Sequence, residues 1–398
     1  MFNKFIIIIM FLLSRGFLLT TIDYQKSNII IGIICGVFLI FKSKYIRKNT
    51  STFRFDVLIF IFLIIAEIFM SKFRYGQSLS CSIKAGIYYF SILFYYVITY
   101  KEQERKTLEF MKKCFIYMSF ILSIILILQY YIYDRMRITF IGVDLSRAFR
   151  MDGVRITDGM YFISIGIICT LAKILTYKRE FSARKFIEYV VFLSFDLFYI
   201  VFVSKTRSIL VVICLVIVIM MLCSGNDVKK KLLIILVSSI AIPLFLNSSI
   251  VKKYIDLGET DTYSTEVRIE AMNYYIDQVS ENKLLGVGLI YEKDNHDILS
   301  YILHGPETKY FKSDVGIVAL YNTFGLFGLG WYILIILKFI RILRRKVNNG
   351  VLVNNVDSIG LFSYFIATTP TLNMVSPDLI IYMAIIMAFI DQDSEVVV

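Results

Sequence analysis

Basic residues in three separate segments of the chain carry side chains suited to binding phosphate groups. The segments contribute Arg147 and Arg150, then Lys205 and Arg207, then Arg268. A guanidinium group donates two parallel charge-assisted hydrogen bonds, which match the geometry of phosphate and pyrophosphate. For any one of these arginines, solvation of a loop or pairing with a nearby acid is the simpler explanation. The three segments together favour a functional site suited to phosphate or pyrophosphate.

Proton transfer near neutral pH usually depends on histidine, and the chain has two, His296 and His304. A histidine in a loop is otherwise simply exposed to solvent. The sequence contains no HExxH, CxxC, Walker-type or GxSxG pattern. Zinc, nucleotide and serine hydrolysis therefore have no support, and we expect neither a metal nor another cofactor.

Charged residues also occur inside strongly apolar segments, where they are costly and are usually functional. Three such residues are Arg15, Glu67 and Asp196. They are candidates for lining a cavity between membrane helices. A buried ion pair between Arg15 and either acid, holding two helices together, is an equally good explanation.

The chain that carries these residues is unusually apolar. Of its 398 residues, 58% are hydrophobic and 19% are charged, which excludes a large soluble enzyme. Many apolar runs approach the roughly 20 residues that cross a bilayer as a helix. We predict an all-α polytopic membrane protein, a single membrane domain over residues 1–398 with about twelve spans. The predicted spans are 5–22, 28–41, 55–71, 83–100, 114–133, 160–177, 186–203, 208–224, 232–247, 314–337, 358–370 and 378–391.

The distribution of lysine and arginine predicts how these spans are oriented. Short connections on one side hold clearly more basic residues than those on the other, which is typical of cytoplasmic loops. Both termini are therefore predicted inside, with a first outer loop at 134–159 and a long outer loop at 248–313. The net charge of +12 follows from this topology and from attraction to anionic membrane lipid, so we do not expect nucleic acid as a partner.

The long outer loop contains one predicted amphipathic helix. Its apolar residues recur at helical spacing, opposite acidic side chains. The stripe consists of Ile269, Met272, Ile276 and Val279. We expect this helix to lie on the membrane surface or to cover a cavity between the spans.

Several short motifs follow one another between about residues 130 and 340. They are Phe149–Gly153, Ser204–Arg207, Glu266–Arg268, Leu284–Gly288, Lys312–Gly316 and Phe324–Gly328. Each motif is weak by itself. In this order, the motifs resemble those of O-antigen and capsular-polysaccharide polymerases of the Wzy type, which share a superfamily with O-antigen ligases.

The resemblance implies a metal-independent glycosyltransferase with a GT-C-like membrane fold. Its active site would face outward from the bacterial cytoplasmic membrane. The donor would be an oligosaccharide on undecaprenyl pyrophosphate, and the acceptor another lipid-linked repeat unit of a cell-surface polysaccharide. A chain-length regulator is a further implied partner.

The resemblance also adds Asp314, in the motif Lys312–Gly316, to the candidates for the catalytic base. Ligases tend to show a His-Asn pair where this chain has Ser313 and Asp314. That departure favours a polymerase and leaves the base open between His304 and Asp314. Glu67, or no dedicated base, is the remaining alternative, while an N-cap is the structural explanation for Asp314.

Two other functions remain open. An O-antigen ligase would differ from a polymerase only in its acceptor. A flippase for lipid-linked oligosaccharides would also have many helices and basic cavity residues, but it needs its charges near the middle of the bilayer. The predicted positions of the basic residues, on the outer side, favour an enzyme.

Overall fold

The structure, a computed structural model, is dominated by helices of apolar sequence. It describes residues 2–14, 24–42, 51–100, 104–143, 149–150, 153–176, 183–224, 262–291, 297–306, 309–348, 356–370 and 374–392. The helices are α1 (Phe2–Leu13), α2 (Tyr24–Phe41), α3 (Arg54–Tyr75), α4 (Leu79–Gly86), α5 (Phe94–Ile98), α6 (Glu104–Met136), α7 (Met160–Leu175), α8 (Ala183–Phe198), α9 (Arg207–Cys223), α10 (Thr262–Gln278), α11 (Asp297–His304), α12 (Ile317–Asn348), α13 (Val356–Thr368) and α14 (Ile380–Gln392).

Short elements lie between these helices in the described part of the chain, among them a 3₁₀ turn, Lys312–Asp314, just before α12. A 3₁₀ segment, Ile87–Leu93, joins α4 to α5, and a π-helical segment, Tyr199–Ser204, extends α8. Between α6 and α7, strands β1 (Phe149–Arg150) and β2 (Gly153–Val154) form a small antiparallel pair.

Four stretches of helix are long and apolar enough to cross a membrane: Leu79–Ile98, Lys106–Met136, Ala183–Ser204 and Ile317–Asn348. Shorter apolar helices accompany them. Each predicted span overlaps a helix, except 232–247, which lies outside the described residues. The prediction of a helical membrane protein is confirmed, while the number of twelve spans stays a prediction.

Aromatic side chains join α3, the α4–α5 stretch and α12. The rings of Phe60 and Trp331 stack at 4.3 Å, and Phe324 packs against both Phe60 and Tyr89 at 5.5 Å. The indole nitrogen of Trp331 donates to the carbonyl of Asp56 at 2.8 Å. Buried aromatic pairs with a satisfied polar group fix helices rigidly, so α3 and α12 are held in one relative position.

Helix α12 is broken near its start, at Gly325. This residue has φ 60° and ψ −154°, which is not helical. The break releases the carbonyl groups of Asn322 and Thr323, and these accept hydrogen bonds from the N–H groups of Val287 and Gly288 at 2.7 and 3.0 Å. A broken helix in an apolar interior is tolerated only where such partners exist.

The same incoming segment, residues 283–288, satisfies the other side of the break. The N–H groups of Leu326 and Phe327 donate to the carbonyls of Lys283 and Leu284 at 2.8 and 3.1 Å. A side-chain carbon at Gly325 would lie 2.4 Å from the Leu284 carbonyl oxygen. The motifs Leu284–Gly288 and Phe324–Gly328 are therefore two halves of one backbone contact.

Replacing Gly325 by alanine is expected to destabilise the protein strongly. The positive φ alone costs about 1–3 kcal/mol for a residue with a side chain, and the clash with Leu284 adds to it. Gly330→Ala is the matched control, because a side-chain carbon at Gly330 meets nothing within 4 Å. Thermal unfolding in detergent should show a clear drop for Gly325→Ala and none for Gly330→Ala; equal midpoints would contradict this account of the break.

Residues at and just after the end of α3 bond to the segment that passes the break in α12. Arg74 donates to the carbonyl of Gly286, and the Ser71 hydroxyl accepts from the N–H of Leu289 at 2.8 Å. The side-chain amide of Gln77, just after α3, donates to the carbonyl of Leu289 at 3.2 Å. Its oxygen accepts from the N–H group of Tyr291 at 3.0 Å. Residues 286–291 are thus fixed between α3 and α12.

Helix α10 packs against the start of α12 and the chain just before it. The buried residues of this contact are Ala271, Tyr275, Tyr310, Val315 and Ala319. Two residues of the predicted apolar stripe lie outside this contact, since Ile269 and Ile276 are 55% and 45% exposed. That the stripe faces the membrane surface stays a prediction. Tyr275 is fully buried in this contact and packs with Tyr310 and Val315, which precede α12.

Candidate functional site

The turn between α8 and α9 is fastened to the hairpin formed by β1 and β2. Lys205 has a left-handed backbone conformation, with φ 49°. Its Nζ donates to the carbonyl of Val154 at 3.1 Å and to the hydroxyl of Tyr130 at 3.3 Å. Tyr199 strengthens this contact, since its hydroxyl group lies 3.0 Å and 2.6 Å from two carbonyl oxygens in the chain after β2. Two of the three predicted basic segments therefore meet here.

Arg207 is the first residue of α9 and is half-buried. Within the described residues, its guanidinium group makes neither a hydrogen bond nor an ion pair. The backbone of Arg150 pairs with Gly153 in the neighbouring hairpin. The side chain of Arg150, and the whole of Arg147, lie outside the described residues.

Arg268 lies on α10 and is exposed. It precedes Tyr275 by seven residues, or two helical turns, so the two side chains share one face about 10.5 Å apart along the axis. No acid in the part of the chain that the structure describes forms an ion pair with Arg268. The contact between Arg268 and the turn carrying Arg207 stays a prediction.

His304 ends α11 and is held by the chain that follows it. Its Nδ1 lies 3.1 Å from the carbonyl oxygen of Tyr310, and its own carbonyl accepts from the Tyr310 N–H at 2.8 Å. Its ring packs on that of Phe311 at 5.4 Å. A hydrogen on Nδ1 would satisfy the Tyr310 carbonyl and leave the lone pair of the neutral ring on Nε2.

Asp314 is exposed in a 3₁₀ turn, Lys312–Asp314, and accepts a hydrogen bond from the Ser313 hydroxyl at 3.3 Å. It is not the N-cap of α12, because Gly316, with φ 52°, stands between the turn and the first residue of the helix. Burial raises the pKa of Tyr275, and the charges of Tyr274 and Asp314 raise it further. The Nζ of Lys312, in the same turn, lies 5.8 Å from the ring centroid of Tyr275, so this turn faces α10.

Lys312 is a residue that sequence reasoning missed. Its Nζ lies 5.8 Å from the ring centroid of Tyr275 and 3.4 Å from the hydroxyl oxygen of Thr323. Burial lowers the pKa of Lys312 to about 8. Its place in the motif Lys312–Gly316, two residues before Asp314, was the available signal.

The acids predicted to line a cavity are both buried. Asp196 accepts hydrogen bonds from Ser119 at 2.8 Å and Ser123 at 2.6 Å, contacts that join α8 to α6. Glu67 faces Gly288, and within the described residues neither of its carboxylate oxygens has a hydrogen-bond partner. Arg15 lies outside those residues, and a cavity-lining role stays a prediction for all three.

The candidate site residues described above include several basic side chains. In the described ranges, no group of three or more His, Cys, Asp or Glu side chains is placed to hold a metal ion. The candidate basic side chains that the structure describes occur at two places: Lys205 and Arg207 in the turn after α8, and Arg268 and Lys312 where α10 meets the start of α12. Such an arrangement suits an anionic, phosphate-bearing ligand.

One family of known proteins matches a stretch of the chain that includes both the turn after α8 and the contact between α10 and α12. Residues 189–333, a little over a third of the chain, match the family model described as O-Antigen ligase. Among curated proteins, none matches the chain. The matched stretch runs from α8 through the break in α12. It supports a relationship to the O-antigen ligase superfamily and indicates a membrane protein that handles glycans, without distinguishing a polymerase from a ligase.

Proposed function

We propose that the protein is a metal-independent glycosyltransferase that polymerises lipid-linked oligosaccharide repeat units for a cell-surface polysaccharide. The observation that supports this most is the family match, because it contains Lys205, Arg207, Arg268, His304 and Asp314. A donor carried on a lipid diphosphate explains why an apolar helical protein has basic side chains without acidic partners among its described residues.

In the proposed reaction, a hydroxyl group of the acceptor attacks the anomeric carbon of the donor glycan. The new glycosidic C–O bond forms as the C–O bond to the diphosphate breaks, and the bonding electrons leave with undecaprenyl pyrophosphate. Arginine side chains stabilise the charge that develops on the leaving group. His304 or Asp314 accepts the proton that the acceptor hydroxyl loses.

A ligase is the second candidate, and the description of the matched family favours it. The bonds formed and broken would be the same, but the acceptor would be a different molecule. Ser313 and Asp314 stand where ligases tend to have a His-Asn pair, and this departure supports the polymerase.

Reconstitution tests the proposal directly. Purified protein in lipid nanodiscs is given a synthetic lipid-linked repeat unit, and the products are separated on a gel. A ladder of increasing length supports the polymerase. Transfer that appears only after a second, non-repeating acceptor is added supports the ligase, and absence of any transfer with either acceptor contradicts a glycosyltransferase.

The orientation in the bacterial cytoplasmic membrane is part of the proposal, with both termini inside and the loop 248–313 outside. Glu281 is exposed and lies before α12. Arg345 is exposed and lies near the end of α12. In a cysteine-free background, Glu281→Cys should react with an impermeant maleimide on intact cells, while Arg345→Cys should react only after permeabilisation. The opposite pattern would invert the topology.

A further inference from the structure

We propose that Lys312 is an anion-binding residue whose ammonium group, held beside the ring of Tyr275 and the hydroxyl of Thr323, binds a phosphoryl group. Its identification with the lipid diphosphate of the substrate rests on the proposed function. The site itself rests on the geometry around Lys312.

The surroundings of Lys312 hold a cation in place without neutralising it. The 3₁₀ turn Lys312–Asp314 directs the side chain toward α10 and the broken start of α12, where its Nζ lies 5.8 Å from the Tyr275 ring centroid. The Thr323 hydroxyl, 3.4 Å from Nζ, is a neutral partner. An aromatic face and a hydroxyl stabilise an ammonium group but leave its charge uncompensated.

Of the described acidic residues near this turn, neither Glu270 nor Asp314 forms an ion pair with Lys312. Glu270 forms an ion pair with Lys309 at 3.1 Å and accepts from the Tyr310 hydroxyl at 3.3 Å. Asp314 accepts from Ser313, and within the described residues no carboxylate forms an ion pair with Lys312. Lys309, only three residues away, thus has a counter-ion, whereas Lys312 has none in the part of the chain that the structure describes.

Lys312 is half-buried, and partial removal of a cation from water with no counter-ion among the described residues is unfavourable. The lowered pKa of Lys312, about 8, is the expected consequence of that burial. Binding of an anion would supply the missing charge and favour the protonated amine. A neutral sugar could not do so, and the ligand group at Lys312 is therefore anionic, as a phosphoryl group is.

The position of Lys312 also relates it to Arg268. Tyr275, which lies beside Nζ, shares a face of α10 with Arg268, two turns away. Neither cation has an acidic partner in the part of the chain that the structure describes. Two uncompensated cations along one face fit a ligand with more than one negative charge.

Lysine reactivity provides the first test. At pH 7.5, a water-soluble amine-reactive ester is added to the purified protein with and without inorganic pyrophosphate, and labelled peptides are quantified by mass spectrometry. We expect pyrophosphate to slow labelling of Lys312 by about tenfold, because an anion that raises its pKa lowers the neutral fraction. Lys309 and Lys283 are internal controls and should be unaffected. An unchanged Lys312 rate at millimolar pyrophosphate would overturn the proposal.

Thermal stability gives a second, independent readout that does not require Lys312 to be reached by a reagent. Pyrophosphate should raise the unfolding midpoint of the wild type and of Lys309→Met clearly more than that of Lys312→Met. Lys312→Arg, which keeps the charge, should retain part of the shift. Equal shifts in Lys312→Met and Lys309→Met would show that the anion binds elsewhere.

These measurements contain no glycan, and their failure is distinguishable from failure of the proposed function. If pyrophosphate protects Lys312 but the reconstituted protein transfers no glycan, the anion site stands and the glycosyltransferase does not. If a polymer ladder forms while Lys312 shows no pyrophosphate effect in either assay, the glycosyltransferase stands and the anion site does not.

Discussion

Arg207→Ala is expected to slow glycan transfer by ~30- to 1,000-fold, corresponding to about 2–4 kcal/mol of lost transition-state stabilisation. Arg207 is half-buried at the first residue of α9 and has no bonding partner among the described residues. Its guanidinium group is therefore available to the leaving diphosphate. Arg268→Ala should also reduce the rate, but less, because Arg268 is exposed and water replaces it more easily.

Initial rates in nanodiscs, at equal protein abundance, measure this effect. Arg207→Lys should recover little activity, because an ammonium group cannot form the two parallel hydrogen bonds of a guanidinium group. Arg341→Ala is the matched control, an exposed arginine in the later part of α12. Wild-type rates for both Arg207→Ala and Arg268→Ala would remove the arginines from the reaction.

Loss of the true catalytic base should lower turnover by ~10²- to 10⁴-fold while leaving donor binding nearly unchanged. His304 and Asp314 can be separated by substitutions that preserve their local hydrogen bonds. Asparagine at 304 can still donate to the Tyr310 carbonyl that lies 3.1 Å from Nδ1. It cannot accept a proton, so His304→Asn should be folded and inactive if His304 is the base.

Asp314→Asn is the corresponding change at the other candidate, since the amide can still accept from Ser313. Rate–pH profiles of the wild type, His304→Asn, His304→Gln and Asp314→Asn identify the base by the loss of its titration. A folded, fully active His304→Asn variant would assign His304 to the local structure around Tyr310. Normal turnover in all three variants would mean that positioning and leaving-group stabilisation suffice.

The predicted spans that fall on described residues coincide with helices because each is an apolar run bounded by polar residues. The break in α12 could not, since Gly325 lies in an apolar run that has helical character on both sides. Only the distant segment 283–288 makes a non-helical residue there favourable, by bonding to both sides of the break. A long-range backbone contact of this kind leaves little trace in a local pattern beyond the paired glycines.

The candidate site shows the same division between local and long-range information. The spacing of Ile269 and Ile276 correctly indicated a helix, but not which of its faces would be covered, because that depends on Tyr310 and the chain before α12. Lys312 was missed for a related reason. A lysine near a helix start is usually solvated, and its burial against Tyr275 depends on how α10 packs.

Charged residues in apolar runs could be recognised from the sequence. The hydrogen-bond partners of these residues could not be predicted from it. Two serines of α6 donate to the carboxylate of Asp196, while its pairing with Arg15 stays a prediction because Arg15 lies outside the described residues. Serine is common in apolar helices, and nothing in its sequence context identifies Ser119 and Ser123 as partners of a residue more than seventy positions away.

The break in α12 also has a consequence for how the chain is made. The ribosome synthesises residues 283–288 before it reaches Asn322 and Thr323, so the segment that pairs with their carbonyls already exists when α12 enters the bilayer. Each carbonyl left unsatisfied in hydrocarbon would cost several kcal/mol. The loop segment and α12 therefore have to enter their final positions together. A ribosome pause between residues 288 and 322 would do little harm, whereas moving residues 283–288 to a position after α12 in a permuted gene would leave the helix to insert without its partner.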